Sequence, residues 1–335
     1  MPTLKEVAAR AGVSYQTVSK VLNGQLKVAS ETEQRILAAA QGLGYRPNQL
    51  ARNMRQQRSR MIGYSWEPGR FNQVNNILDA FLSSMVLEAE AAGYHLLPFP
   101  NRDGAAMIDA YRDLMDTGRV DGFVLSSVNY NDPRIQFLSQ RDFPFVAFGR
   151  SNPELAFPFV DVDGAAGQRA VVEHLLANGH QRIAVIAWPA DSRVGSARMA
   201  GYEQALHGAQ IALRPEWIMR GEGTAEFGRE AAARFLNLPA RNRPSAIVAF
   251  NDTTAIGAMQ AARERGLRVG KDLAVVGFDD TPMAQYLDPP LTSVRQPIRE
   301  AGRACVEMLV GLMEGRPPAQ TSVLLPPKLI LRASG

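Results

Sequence analysis

Apolar and polar positions divide this chain into two parts with different periods. Over residues 3–45 the apolar side chains recur at helical spacing: Leu4, Val7, Ala8 and Ala11 fall on one face, and Val18, Val21 and Leu22 on another. The pattern predicts two short helices joined by a tight turn at Gly12-Val13-Ser14. Thr3-Leu4-Lys5-Glu6 is a capping-box pattern, in which hydroxyl and carboxylate satisfy each other's free backbone donors. Ser14 is a good N-cap for the second helix. Another capping-box pattern at Ser30-Glu31-Thr32-Glu33 predicts a third helix that stops near Gly44, with Val13, Ile36, Leu37 and Leu43 closing a small core. From Met61 onward short apolar runs alternate with amphipathic stretches. The runs at 61–66, 95–99, 122–126, 144–148, 182–187, 245–250 and 273–278 predict strands. The stretches at 77–92, 105–117, 165–178, 197–208, 227–238 and 253–265 predict helices. Near-continuous apolar strands separated by such helices imply doubly wound parallel sheets, covered on both faces, and the units suffice for two of them.

The second of the N-terminal helices has a polar face bearing Tyr15, Gln16, Ser19 and Lys20, side chains that hydrogen-bond base edges and phosphates. An ordinary helical hairpin with a solvated face would show the same pattern. Charge separates the two readings. Residues 1–60 hold ten lysines and arginines against three acids, a net of +7; the whole chain is +4, so residues 61–335 carry −3. A cationic head on a mildly acidic body is the footprint of a protein that sets one end on a polyanion. The expected element is a helix-turn-helix whose second helix enters a major groove.

A length of 335 residues points to two or three domains. No apolar run approaches the roughly 18 residues needed to cross a membrane, and the N-terminus lacks a secretory signal pattern. A single cysteine, Cys305, excludes an intramolecular disulfide and suits a reducing cytoplasm. The four histidines are scattered without metal-ligand spacing, so neither a metal site nor a cofactor is expected. Two other classes compete with a DNA-binding protein. A free solute-binding protein would suit the body but leaves the basic head unexplained. An enzyme on an α/β scaffold would need a set such as Asp161, Asp163, Asp279 and Asp280, yet Asp163 more simply caps the helix that follows it. No phosphate loop, nucleophile elbow or Cys/His pairing appears.

Between head and body, Pro47 presets a helix start, and Leu50 and Met54 form a narrow apolar stripe among arginines. So short and basic a segment is marginal alone in water; it suits ordering against DNA and a second copy of itself. At this point the chain resembles the LacI/GalR family of transcriptional regulators. The likeness rests on the Val-Ser-Tyr-Gln-Thr-Val-Ser turn and helix at 13–19, the entry to the third helix, and Gly-Tyr-Arg-Pro-Asn at 44–48. The resemblance implies that Tyr15, Gln16 and Lys20 read bases. It implies that Ser14, Thr17, Ser19, Asn23 and Asn48 border or hold phosphates. It also implies that Ala51 and Met54 belong to a hinge helix that pairs in the minor groove. Family members often place leucine where this chain has Met54, a residue type that also wedges between bases. Lys20 stands where some relatives carry arginine and lacks its bidentate fork.

The order of motifs through the body extends the likeness to a core similar to periplasmic sugar-binding proteins, two lobes with a cleft between them. The motifs include Asn178-Gly179-His180, Arg198-Met199-Ala200-Gly201-Tyr202, Phe250-Asn251-Asp252 and Val276-Gly277-Phe278-Asp279-Asp280. The expected organisation is a helix-turn-helix domain over 1–47, a hinge over 48–60 and a core over 61–335. The N-lobe would take about 61–160 and 293–320, and the C-lobe 161–292 and 321–335. By resemblance Arg198, Asn251 and Asp279 contact an effector, although Asn251 could merely cap a helix and Arg198 merely pair with an acid. Trp66 and Trp188, at equivalent strand ends, are aromatic candidates for a sugar ring or for core packing. Arg150 is a further candidate and leaves an anionic effector open. The implied protein is a cytoplasmic, dimeric repressor of sugar-utilisation genes on a pseudo-palindromic operator, switched by a small ligand. A corepressor or non-sugar ligand is the alternative, and no leucine-heptad tail for tetramers is visible.

Overall fold

The computed structural model describes residues 2–22, 26–45, 58–66, 76–102 and 104–335. It divides into two compact units, Met1–Ser59 and Arg60–Gly335. In the first, helices span Leu4–Ala11, Tyr15–Leu22 and Ser30–Leu43. The Thr3 backbone N–H donates to Glu6 Oε2 at 2.7 Å, and the Glu6 N–H donates to Thr3 Oγ1 at 3.4 Å, which completes the capping box. Gly12 ends that helix in the left-handed region, at φ 66°, where glycine carries no Cβ penalty. Ser14 Oγ accepts the Thr17 N–H at 3.0 Å. The third helix departs from expectation: Ala29 occupies the N-cap, no side chain caps it, and Ser30 is already helical. Val7, Val18 and Ile36 are fully buried, closed by Ala8, Ala11, Ala39 and Ala40. Leu37, expected inside, is 51% exposed. One helical step turns a side chain by about 100°, and the inward face is already held by Ile36 and Ala40. Asn23, Asn48, Ala51 and Met54 lie outside the described residues.

The second unit carries twelve strands among its described residues. In chain order they are β1 (Met61–Trp66), β2 (His95–Pro100), β3 (Gly122–Leu125), β4 (Phe145–Phe148), β5 (Phe159–Val162), β6 (Ile183–Ala187), β7 (Ile218–Arg220), β8 (Ala246–Ala249), β9 (Ala274–Asp279), β10 (Thr292–Arg295), β11 (Ser322–Leu325) and β12 (Lys328–Ile330). They form two six-stranded sheets, β2-β1-β3-β4-β5-β11 and β7-β6-β8-β9-β10-β12. The same topology is therefore used twice. Every ladder is parallel except β10 with β12.

Each sheet is one lobe, and the chain passes between lobes after β5, after β10 and after β11. These passages fall a few residues beyond the expected 160, 292 and 320, because ladder register holds the strand ends. β10 pairs with β9 of the C-lobe (Thr292 opposite Val276), and β11 pairs with β5 of the N-lobe (Ser322 opposite Phe159). The helix Ile298–Met313 returns to the N-lobe and buries Ala301, Cys305 and Leu309 against Ile62, Met85 and Val146. The helix Ala105–Asp116 covers the other face of that sheet, where Tyr111 and Leu114 meet Phe123 and Leu125. In the C-lobe, helices Gly164–Ala177 and Arg193–Gly208 touch through Gly201, where a Cβ would overlap the Ala165 carbonyl.

Candidate functional site

On the second head helix Tyr15 is 46% exposed, and Gln16 and Lys20 are exposed beside it. Gln16 and Lys20 stand four residues apart, one turn above the other. Ser14 and Thr17 form the entry of the helix, their hydroxyls 2.8 Å apart. Ser19 is buried with Val18 against the core rather than projecting with its neighbours.

In the larger unit the first strand of each lobe lies between neighbours whose chain connections diverge, β1 between β2 and β3, and β6 between β7 and β8. Such switch points open a crevice at the carboxyl ends of the strands. Trp66 ends β1 and is 38% exposed. Trp188 follows β6 and lies partly buried against Gly195 and Gly223, where Cβ atoms would overlap its side chain. Its indole N–H is buried with no hydrogen-bond partner among the described residues.

Arg198 and Asp279 meet on the C-lobe wall. Arg198 leaves the helix Arg193–Gly208, donates from Nη1 to the Phe250 carbonyl, and places Nη2 3.7 Å from Asp279 Oδ1. Its Nε is buried without a hydrogen-bond partner among the described residues. Asp279 ends β9 at φ 113° and Asp280 follows at φ 49°. Two successive non-glycine residues at positive φ cost about 1–3 kcal/mol each, and persist where surrounding contacts hold them. Those contacts are present. Asp280 bonds Arg295 and Arg332 at 2.7 Å each, and its N–H donates to Ser293 Oγ at 3.0 Å. Asp279 Oδ1 accepts from Gln296 Nε2 at 2.7 Å.

Burial pushes the Asp279 carboxyl up to about 7, opposed by the Arg198 charge and reinforced by that of Asp252. Burial likewise lowers Arg198, opposed by Asp279, Asp161 and Asp252. Asp252 is pushed up to about 6 by burial, against hydrogen bonds from Ser293 and Thr281.

The other candidates have local duties. Asn251 caps the helix Asp252–Arg263: its Oδ1 accepts the Thr254 N–H at 2.8 Å, and its Nδ2 donates to the Gly223 carbonyl at 3.1 Å. Arg150 Nε bonds Asp161 Oδ2 at 2.7 Å across β4 and β5. Asp163 caps its helix through the Ala166 N–H at 2.9 Å. Of the four aspartates named above, Asp161 thus pairs with Arg150, Asp163 caps a helix, Asp280 pairs with Arg295 and Arg332, and Asp279 faces Arg198. Among the described residues no group of three or more His, Cys, Asp or Glu side chains could hold a metal. Nor is any helix there long and apolar enough to cross a membrane.

A cavity of about 420 Å³ adjoins Asp279 and Gln296, walled on the N-lobe side by Asn76, Ile77 and Ala80. A guanidinium, a carboxylate and an amide side by side offer donors and acceptors to vicinal hydroxyls. Sequence reasoning missed Gln296 and Phe278; Phe278 lies inside a quoted motif, one residue before Asp279, and Gln296 lies one residue before Pro297.

Residues 3–48 match the family described as bacterial regulatory proteins, lacI family, and residues 172–335 match the periplasmic binding protein-like domain. A regulatory protein of the LacI family from Chloroflexus aggregans has a crystal structure that is 60% identical, with a TM-score of 0.80, covering 82% of this chain and 98% of its own. The complex of the transcriptional regulator CelR with cellobiose is 30% identical over the whole of both chains, with a TM-score of 0.76. The lac repressor dimer bound to operator and the anti-inducer ONPF is 30% identical, with a TM-score of 0.83, over 99% of this chain and 98% of its own.

Proposed function

The chain belongs to the lacI family of bacterial regulatory proteins and is a DNA-binding transcription regulator, and from that premise we propose that it represses its genes as a homodimer under the control of a sugar held in the cleft. Two copies of one reader set two inverted half-sites, so the operator is a pseudo-palindrome. Tyr15, Gln16 and Lys20 read base edges from their exposed face; Ser14 and Thr17 sit where the helix entry meets phosphate. Asn23, Asn48, Ala51 and Met54 complete the proposed DNA surface, and Ser19 supports it from the small core behind.

The observation that carries the effector reading is the Arg198–Asp279 pair, with a buried, unpartnered Nε on one side chain and a carboxylate held by Gln296 on the other. A vicinal diol supplies the acceptor the first lacks and donors the second takes up. The CelR complex with cellobiose supports a saccharide over other polyols. In this reading Trp66 and Trp188, at the carboxyl ends of β1 and β6, are stacking surfaces, with Asn251 and Arg150 supporting them; a non-sugar ligand or a corepressor is the second reading. Occupancy alters operator affinity only through unequal binding to two lobe arrangements.

The test has two arms. A duplex is selected from a random pool by the purified protein, and its binding is followed by fluorescence anisotropy while cellobiose and a panel of mono- and disaccharides are added. The same sugars are screened for a rise in melting temperature, which a ligand specific to the folded state produces. A sugar that raises the melting temperature and releases the duplex is the expected result. Failure to select any duplex at physiological salt, or a duplex held alike whatever is added, would sink the proposal.

A further inference from the structure

Arg193 opens the C-lobe helix that carries Arg198, yet its own contacts go to the N-lobe. Its backbone N–H donates to Asn129 Oδ1 at 2.8 Å, and its Nε donates to the Ser151 carbonyl at 3.0 Å. Its guanidinium carbon lies 5.7 Å from the centroid of the Tyr130 ring. The first N–H groups of a helix have no partner within it; here one of them finds its acceptor in the opposite lobe.

The receiving side is built rather than incidental. Ser151 Oγ donates to the Asn129 carbonyl at 2.8 Å, and Asn152 exchanges two bonds with Asn131, at 2.6 and 3.0 Å. The loops after β3 and β4 are thereby tied into one surface. Beneath it, Arg134 is 3% exposed, bonds Asp132 at 2.6 Å, and donates to the Ser126 carbonyl at 3.0 Å and to Ser65 Oγ at 3.1 Å. Tyr111 donates to the same serine at 2.6 Å. A buried ion pair so placed holds the loop at 126–132 in a fixed position for Arg193 to engage.

We propose that Arg193 is a latch between the lobes, closing the cleft by docking on Asn129, Tyr130 and Ser151, and that effector occupancy at Arg198, on the same helix, is linked to whether it is closed. The link to the effector rests on the reading of the cleft given above; the latch itself does not. All three contacts join one residue of the C-lobe to one surface of the N-lobe, from its backbone N–H and its side chain, a compact junction of the kind a two-state element can use. They are few and only partly buried, so a ligand of ordinary affinity can overcome or reinforce them.

The full-length protein carrying Asp116→Cys on the N-lobe and Lys271→Cys on the C-lobe, both exposed, is spin-labelled and mixed with excess unlabelled protein so that each dimer holds one labelled pair. Pulsed electron resonance then reads the distance between lobes. The parent should show a single distance; Arg193→Ala should add a second, longer one of comparable population. Asn129→Ala, which leaves the guanidinium intact and removes the acceptor of the backbone N–H instead, should do the same, and the two changes together should raise the longer population further. Cooperative melting confirms that each variant folds, and either variant alone suffices for the test. An unchanged distance in both folded variants overturns the latch. In the second arm cellobiose is titrated: Arg193→Ala should shift the sugar concentration for half-response by about tenfold, the ratio expected when a linked equilibrium moves by one decade. If the parent responds to cellobiose and the variant responds at the same concentration, the link to the effector is overturned while the latch stands. No response to any saccharide in either protein removes the cleft reading and leaves the distance measurement to decide the latch.

Discussion

The guanidinium carbon of Arg198 lies 3.7 Å from the centroid of the Phe278 ring, and Phe278 is the residue before Asp279. One strand end therefore supplies both the surface on which the arginine rests and the carboxylate beside it. The ring limits where the guanidinium can go, and the Phe250 carbonyl holds its far end. Nε, buried on the side of Gly164, is left with no partner among the described residues.

Phe278→Leu keeps an apolar side chain but removes the aromatic face. A desolvated contact of this kind contributes about 2 kcal/mol or more, so sugar affinity should fall by up to roughly thirtyfold while binding to the selected duplex stays unchanged. Calorimetric titration with the sugar identified by the melting screen checks this. Equal affinity in the two proteins would show that the ring only fills space.

Asp279→Asn should change how stability depends on pH. The carboxyl titrates near 3.8 when unfolded and about 7 when folded. Between these values the folded protein holds more protons, so the contribution of Asp279 to stability declines as pH rises from about 4 to 7 and is level above that. Asparagine does not titrate. The unfolding free energy of the variant relative to the parent should therefore rise across this window. Urea titrations at half-unit intervals measure it, and parallel curves would refute the assignment.

Gly257→Ala should destabilise the C-lobe. A Cβ there would overlap the Ala225 carbonyl, and one at Gly228 would overlap the Thr254 carbonyl, so helices Ala225–Leu236 and Asp252–Arg263 approach through reciprocal glycines. Overpacking of this kind costs about 1–3 kcal/mol. The urea midpoint should fall; an unchanged midpoint would mean that the helices separate at no cost.

Gln16→Ala should relax preference at one operator base pair per half-site, with a loss of about 1–3 kcal/mol confined to that position. Anisotropy against single-base variants of the selected duplex reads it. A uniform loss across all variants would make Gln16 a phosphate contact instead.

Much of the architecture was legible because its signals are local. β1 coincides with the predicted run 61–66, and helix Ala105–Asp116 ends one residue short of the predicted stretch, since apolar runs and helical periods declare themselves within a dozen residues. Strands β5, β7, β10, β11 and β12 were not predicted: three or four residues, each run with at least one polar member, are too short to show a period, and their place comes from the partner strand. At the cleft, Arg198 and Asp279 were visible through the motifs that contain them. The roles of Phe278 and Gln296 were not, because Gln296 reaches Asp279 from 17 positions away. Arg193 was still less accessible, since its partners lie 64 and 42 positions earlier and belong to the other sheet. Ser30 and Leu37 failed for a simpler reason: a one-residue shift of a helix start, or of a face, is within what neighbouring alanines can absorb.

The threefold passage of the chain between lobes has a consequence for synthesis. A nascent polypeptide leaves the ribosome amino end first, so β1 to β5 emerge early, but the helix Ile298–Met313 and edge strand β11 that finish their sheet follow only after β6 to β10 of the other lobe. The N-lobe, begun first, is finished only after most of the C-lobe, and Ile62, Met85 and Val146 wait for their cover until β6 to β10 have been made. A stop codon shortly after position 297 would thus leave the distal lobe nearly whole and strip the apolar face of the proximal one, offering chaperones and proteases a target some two hundred residues upstream of the lesion.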